Sequence, residues 1–152
     1  MSYTQDEILD EISMSNYTHD DGPYMRMLDA SEHKNSKEFM LKVVEKELDA
    51  DWGPRSLLNT SQKLKNDVDF LLQVAQLIKS NPQTGAGNDL LYWARPSEDT
   101  INKITNCKKT LIQFLELGVD GSFYGKKDIF IPFLDKSAKE FRDDKDVVMA
   151  SV

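Results

Sequence analysis

Apolar residues recur every three or four positions along almost the whole chain, and this spacing constrains the fold more than any other feature. Such a period matches one face of an α-helix, whereas a half-buried β-strand requires strict alternation of apolar and polar residues. The clearest apolar stripes lie in 39–48, 70–78 and 101–115, and no comparable alternating run occurs. We therefore predict an all-α fold with about seven to nine helices and little or no sheet.

Several of these stripes follow residues that are favoured at helix starts. Thr4 and Glu7 have the spacing of a capping box, in which each side chain accepts the other residue's backbone amide. Ser97 is placed to cap the longest predicted helix, which continues without interruption to a C-terminal cap at Gly118. Cys107 lies on the apolar stripe of that helix, so we expect it to be a small buried residue.

One short pattern occurs more than once in the sequence. Segments 60–75 and 137–152 align without gaps, and each has a basic residue and two polar residues, an acid two positions later and then an apolar run. A weaker copy lies at 30–44. The polar turn is suited to end one helix and cap the next, because short polar side chains accept the first free amides of a helix. A single hairpin cannot bury its apolar face alone, so we expect the copies to stack.

The two stronger copies, TSQKLKNDVDFLLQVA and SAKEFRDDKDVVMASV, resemble a family of helical repeats classed as a domain of unknown function. Its copies follow the pattern A-S-x-x-L-K-N-D-x-E-F-V-L-x-A-V and occur in proteins of intracellular bacteria, large viruses and some protists. The match covers about half of the chain, and 80–127 matches poorly. The resemblance implies an irregular bundle of helical hairpins and no particular activity, because the motif is a structural cap. We expect one domain, 1–152, with an incomplete unit at 137–152.

Charge and hydropathy argue against several classes of function. Twenty-six acidic and nineteen basic residues give a net charge of −7, whereas nucleic-acid binders normally carry a basic stripe. No apolar run approaches the roughly 20 residues that cross a membrane, and the acidic first residues do not resemble a leader. The single cysteine excludes an internal disulfide. We expect a cytoplasmic protein, in the host-cell cytoplasm if it is viral or an effector.

No group of side chains in the sequence points to catalysis or to metal binding. The His-Asp-Asp run at 19–21 has the order of a metal phosphohydrolase motif, but His33, the only other histidine, cannot complete the ligand set. Calcium loops that would begin at Asp49 or Asp120 lack the glutamate at the twelfth position. We therefore predict a non-enzymatic protein with no catalytic, metal or cofactor-binding residues.

The remaining interpretation is a helical module that binds a partner protein. By analogy, it resembles small acidic inhibitors that viruses or effectors direct against host defence proteins. Two alternatives stay open. Acidic clusters at 6–11 and 45–51 would suit a nucleic-acid mimic that blocks a nucleic-acid-binding protein, and the scattered carboxylates would suit a carboxylate-dependent enzyme.

The predicted contact surface centres on the glycine-rich loop 118–128. Phe123 and Tyr124 lie between two glycines of this loop, outside any apolar stripe. Aromatic side chains are favoured anchors because they bury a large area for little lost rotamer freedom. The alternative is that Phe123 and Tyr124 fold back and pack against the core. The predicted partner-binding residues are Phe123, Tyr124, Lys126, Lys127, Trp52, Tyr92 and Trp93.

Overall fold

The protein is an all-α molecule, as the sequence predicts. A computed structural model describes residues 3–14, 22–49, 54–80, 90, 94–117 and 144–150, and within these ranges it contains eight α-helices and no strand. The α-helices are α1 (Gln5–Met14), α2 (Gly22–Asp29), α3 (Lys37–Asp49), α4 (Gln62–Lys65), α5 (Val68–Lys79), α6 (Glu98–Thr105), α7 (Lys108–Glu116) and α8 (Lys145–Ala150). Two short 3-10 helices, Glu32–Asn35 and Arg55–Asn59, precede α3 and α4.

The core is built from the apolar stripes that the sequence shows. In α3 and α5, Phe39, Val43, Phe70 and Val74 are buried, which is worth about 1.5–3 kcal/mol for each large side chain. The helix α3 contacts α1 and α5, and α7 contacts both α5 and α8. The helices α3, α5, α7 and α8 therefore pack in chain order.

A short helix, a tight turn and a longer helix form a hairpin that occurs three times. We name these hairpins A (32–49), B (62–79) and C (98–116). In each, the cap residue just before the longer helix donates its backbone amide to the carbonyl of the residue three positions earlier. The caps are Ser36, Asp67 and Cys107, and the N···O distances are 2.9, 3.0 and 3.4 Å. These three residues share an extended backbone, with φ/ψ of −91/114, −94/108 and −116/106 degrees.

The helix α8 begins like the longer helices of the hairpins. A carboxylate oxygen of Asp144 accepts the amides of Asp146 and Val147, at 2.9 and 3.4 Å. In hairpin B, Asp67 accepts the amide of Phe70 in the same manner, at 3.2 Å. We name the cap and helix at 144–150 unit D.

The lysine two residues before the cap acts alike in hairpins A and B. Lys34 donates to the carbonyl of Asp29, at 3.0 Å, and Lys65 donates to that of Leu58, at 2.9 Å. Both carbonyls lie near the end of the preceding helix, where acceptors are left unpaired. Burial lowers the pKa of Lys65, as expected for an ammonium group drawn against apolar surface.

The single long helix predicted from Ser97 to Gly118 is wrong, because the chain turns at Cys107 between α6 and α7. The predicted cap at Ser97 is confirmed, since its hydroxyl accepts the Thr100 amide at 3.3 Å. Cys107 is exposed at the turn, so its predicted burial is also wrong.

The apolar spacing concealed this turn. Ile104 and Leu111 are seven residues apart, as they would be after two turns of one continuous helix, and both are buried. Leu64 and Leu71 have the same separation across the turn of hairpin B. Residues 104–111 are therefore a further copy of the turn, inside the segment that we expected to match poorly.

Candidate interaction surface

Ion pairs join successive hairpins, and they use equivalent positions twice. Lys37 begins α3, and its Nζ lies 3.2 Å from Oδ2 of Asp67, the cap of α5. Lys108 begins α7, and its Nζ lies 2.8 Å from Oδ2 of Asp144, the cap of α8. In both acids the other carboxylate oxygen caps its own helix. Each acidic cap thus stabilises the start of its own helix and forms an ion pair with the preceding hairpin.

The local charges favour the ionised form of both acidic caps. Burial alone would raise the pKa of Asp67, but the hydrogen bond from the Phe70 amide and the Lys37 ammonium outweigh it and lower that pKa. The ammonium of Lys108 is the main cause that lowers the pKa of Asp144. Both ion pairs are therefore charged at neutral pH.

Hairpins B and C have no ion pair at the equivalent positions. The equivalent positions hold Val68 at the start of α5 and Cys107 at the cap of α7. The link passes instead through Asn66, whose Oδ1 accepts the Ser97 amide at 2.7 Å and the Thr100 hydroxyl at 2.9 Å. At this junction the neutral side chain of Asn66 thus links the two hairpins, whereas an acid and a lysine link them at the other two junctions.

The helices α3, α5, α7 and α8 leave three open grooves side by side. The α3–α5 groove has a volume of about 280 Å3, the α5–α7 groove about 530 Å3 and the α7–α8 groove about 770 Å3. The α5–α7 groove shares Gln73 and Gln76 with the first and Lys79 and Glu116 with the third. The three grooves therefore form one surface, with the α5–α7 groove at its centre.

Glutamine and leucine dominate the central groove. Its lining residues are Leu72, Gln73, Gln76, Lys79, Gln113, Glu116 and Leu117. The two charged residues have opposite signs, and Lys79 Nζ donates to the backbone carbonyl of Glu116 at 2.7 Å. Two of the seven lining residues are charged, against three of seven in the α3–α5 groove and three of six in the α7–α8 groove. Side-chain amides can both donate to and accept from a peptide backbone, and the leucines offer apolar contact.

A buried carboxyl joins α2, α3 and the second 3-10 helix. Glu47 has no exposed surface, and it accepts the Tyr24 hydroxyl at 2.8 Å, the Ser56 amide at 2.9 Å and the Ser56 hydroxyl. Burial raises the pKa of Glu47 to about 7, against the lowering effect of these hydrogen bonds and of Arg55. Because a group without exposed surface cannot touch a substrate, we assign Glu47 a structural role.

Sequence reasoning missed Glu47 because it lies in an acidic run. The signal was its position, one helical turn after Val43 and Val44 and beside Leu48, on the buried face of α3. Sequence reasoning also missed the glutamine groove, because its lining comes from helices whose adjacency no local pattern reveals.

The partner-binding residues predicted from the sequence lie outside the described residues, as does the His-Asp-Asp run at 19–21. Phe123, Tyr124 and their neighbours therefore stay a prediction. Among the described residues, no group of three His, Cys, Asp or Glu side chains could hold a metal ion. None of the helices described is long and apolar enough to cross a membrane.

No family model matches the chain, and neither a curated protein nor a solved structure is significantly similar to it. Membership of the helical-repeat family thus stays a prediction. The repeated cap geometry, by contrast, is observed directly at Ser36, Asp67 and Cys107.

Proposed function

We propose that the protein is a non-enzymatic module that binds a partner protein along the exposed surface of α3, α5 and α7. The observation that carries this proposal is the central groove, where five of the seven lining residues are glutamine or leucine. Interface cores favour uncharged side chains, and the half-buried Leu72 and Leu117 offer apolar contact here.

The shape of the groove favours an amphipathic helix of the partner as its occupant. The groove runs between two packed helices, and a third helix can lay its apolar face between them. Leu72 and Leu117 would contact that face, while Gln73, Gln76 and Gln113 would bond the partner's polar groups. Stacked hairpins commonly present such an extended surface.

The charges on α3 favour this proposal over a nucleic-acid mimic. The acidic cluster at 45–51 includes Glu45 and Asp49, but Lys42 and Lys46 line the same depression. The negative surface is therefore interrupted there, whereas a mimic requires a continuous stripe of acids. A role as an inhibitor of a host defence protein fits a small binding module but rests on analogy alone.

The proposal can be tested by capture with a matched pair of variants. The full chain would be used as bait in lysate of its source or host, beside Gln76→Arg/Gln113→Arg, which places two bulky cations in the groove. Gln62→Arg/Asn102→Arg is the control, because both residues are exposed on the shorter helices α4 and α6. Bound proteins would be quantified by mass spectrometry, and circular dichroism melting would verify each fold.

We expect at least one protein to bind the wild type and the control equally and to lose about tenfold or more with the groove variant, a change of about 1.4 kcal/mol. Equal capture by the groove variant would contradict the groove as the contact. A Phe123→Ala/Tyr124→Ala bait in the same experiment tests the loop predicted from the sequence.

A further inference from the structure

The helix α8 exposes apolar side chains at positions that equivalent helices bury, and one of them, Met149, also borders the α7–α8 groove. Val148 is 42% exposed and Met149 is 66% exposed, and they are the large apolar residues that the described part of the chain leaves exposed. Val148 is the fourth residue after the cap Asp144. The fourth residues after the caps of hairpins A, B and C, which are Met40, Leu71 and Leu111, are all 0% exposed.

The next position shows the same difference. Leu41, Leu72 and Ile112, five residues after their caps, are half-buried against the core, whereas Met149 is mostly exposed. The helix α8 therefore carries apolar residues at the positions of a covered helix, on a face that remains solvent-exposed within the described part of the chain.

A lysine on the same face lacks the ion pair that its equivalents make. Lys145 begins α8 as Lys37 begins α3 and Lys108 begins α7, and both of those lysines pair with the acidic cap of the next hairpin. Lys145 is exposed, and it forms no ion pair with any described residue. Val148 and Met149 follow it at three and four residues, so the three side chains share one helix face.

We propose that the face of Lys145, Val148 and Met149 binds a helical hairpin of a partner protein whose longer helix begins at an acidic cap. An acidic cap is expected opposite Lys145, because Lys37 and Lys108, at the equivalent positions, each pair with such a cap in this chain. A second copy of the chain is a poor occupant. Its acidic caps Asp67 and Asp144 already pair with lysines of its own.

The test supplies such a hairpin as a defined probe. Residues 61–80, which include the cap Asp67, would be duplicated and joined after Val152 of the full chain by a flexible Gly/Ser linker of about 20 residues, giving an effective concentration of order mM. A second probe carries Asp67→Ser in the duplicate only. Serine still caps the helix, as Ser36 does in hairpin A, but it cannot pair with a lysine.

We expect the acidic probe to slow hydrogen exchange of the amides in 147–150 about tenfold, equivalent to about 1.4 kcal/mol. Lys145→Gln should remove part of this protection with the acidic probe and none with the serine probe. Met149→Asp should abolish protection with both. Lys109→Gln, an exposed lysine of α7 away from this face, is the control and should change nothing.

The proposal fails if the acidic probe leaves exchange in 147–150 unchanged. It fails equally if Lys145→Gln has the same effect with both probes, since the acid would then have no role. None of these variants alters the α5–α7 groove, so the outcome is independent of the capture experiment.

Discussion

Glu47 makes the stability of the fold depend on pH in an unusual direction. Its pKa is about 7 in the folded protein against 4.5 as a free side chain, so folding takes up a proton between these two values. Stability from this group is therefore fully present below pH 4.5 and is lost as the pH rises through 7. At about 1.4 kcal/mol per pKa unit, the loss is on the order of 3 kcal/mol.

Glu47→Gln removes this ionisation and keeps the shape. With its oxygen in the place of Oε2, the side-chain amide can still accept the Ser56 amide and the Tyr24 hydroxyl, and its nitrogen can donate to the Ser56 hydroxyl in place of accepting from it. We expect the stability of the variant relative to wild type to rise by on the order of 3 kcal/mol between pH 4.5 and 8. For a chain of this size that corresponds to roughly 6–12 °C in Tm.

The assay is urea unfolding followed by circular dichroism at pH steps from 4.5 to 8. The difference between the two proteins is the relevant quantity, because other groups that titrate in both cancel. Glu45→Gln is the matched control, since Glu45 is exposed on the same helix two residues away. Its difference from wild type should stay flat. A difference for Glu47→Gln that is also independent of pH would refute the reasoning.

Three further predictions concern the caps and the aromatic loop. Asp67→Ala should cost about 1–2 kcal/mol in urea unfolding, and Asp67→Asn should cost less, because it keeps the cap and loses only the ion pair. Cys107 should react with a thiol reagent in the native protein at neutral pH as fast as after unfolding, because it is exposed and the Thr110 hydroxyl lowers its pKa. Phe123→Ala/Tyr124→Ala should leave Tm nearly unchanged if these residues form an interface, whereas a loss of a few kcal/mol would place them in the core.

The sequence was sufficient for the helices whose signals are local. The stripe of α3 is periodic and isolated, and the Thr4–Glu7 capping box is present as predicted, with both hydrogen bonds at 3.1 Å. The turn at Cys107 escaped because cysteine is not a typical cap and makes no side-chain hydrogen bond to the helix amides. Apolar spacing alone therefore could not distinguish two helices from one.

Features that depend on packing between distant segments were beyond the sequence. The polar turns that contain Asp67 and Asp144 were predicted to cap helices, but the pairing of these acids with Lys37 and Lys108 requires knowing which hairpins are neighbours. The central groove depends in the same way on the contact between α5 and α7, whose members Gln76 and Gln113 are 37 positions apart in the sequence.

The alternation of charged and neutral junctions has a consequence for folding fidelity. Chains built from similar units can misassemble when one unit takes the place of another. Here an exchange of hairpins B and C would set Lys37 against Cys107 and Val68 against Asp144, and each would leave a charge without its counterpart. The charged and neutral junctions thus favour one order of the hairpins in the stack. High salt screens the two charged junctions, so it should weaken the preference for the correct order of hairpins at concentrations that leave the helices folded.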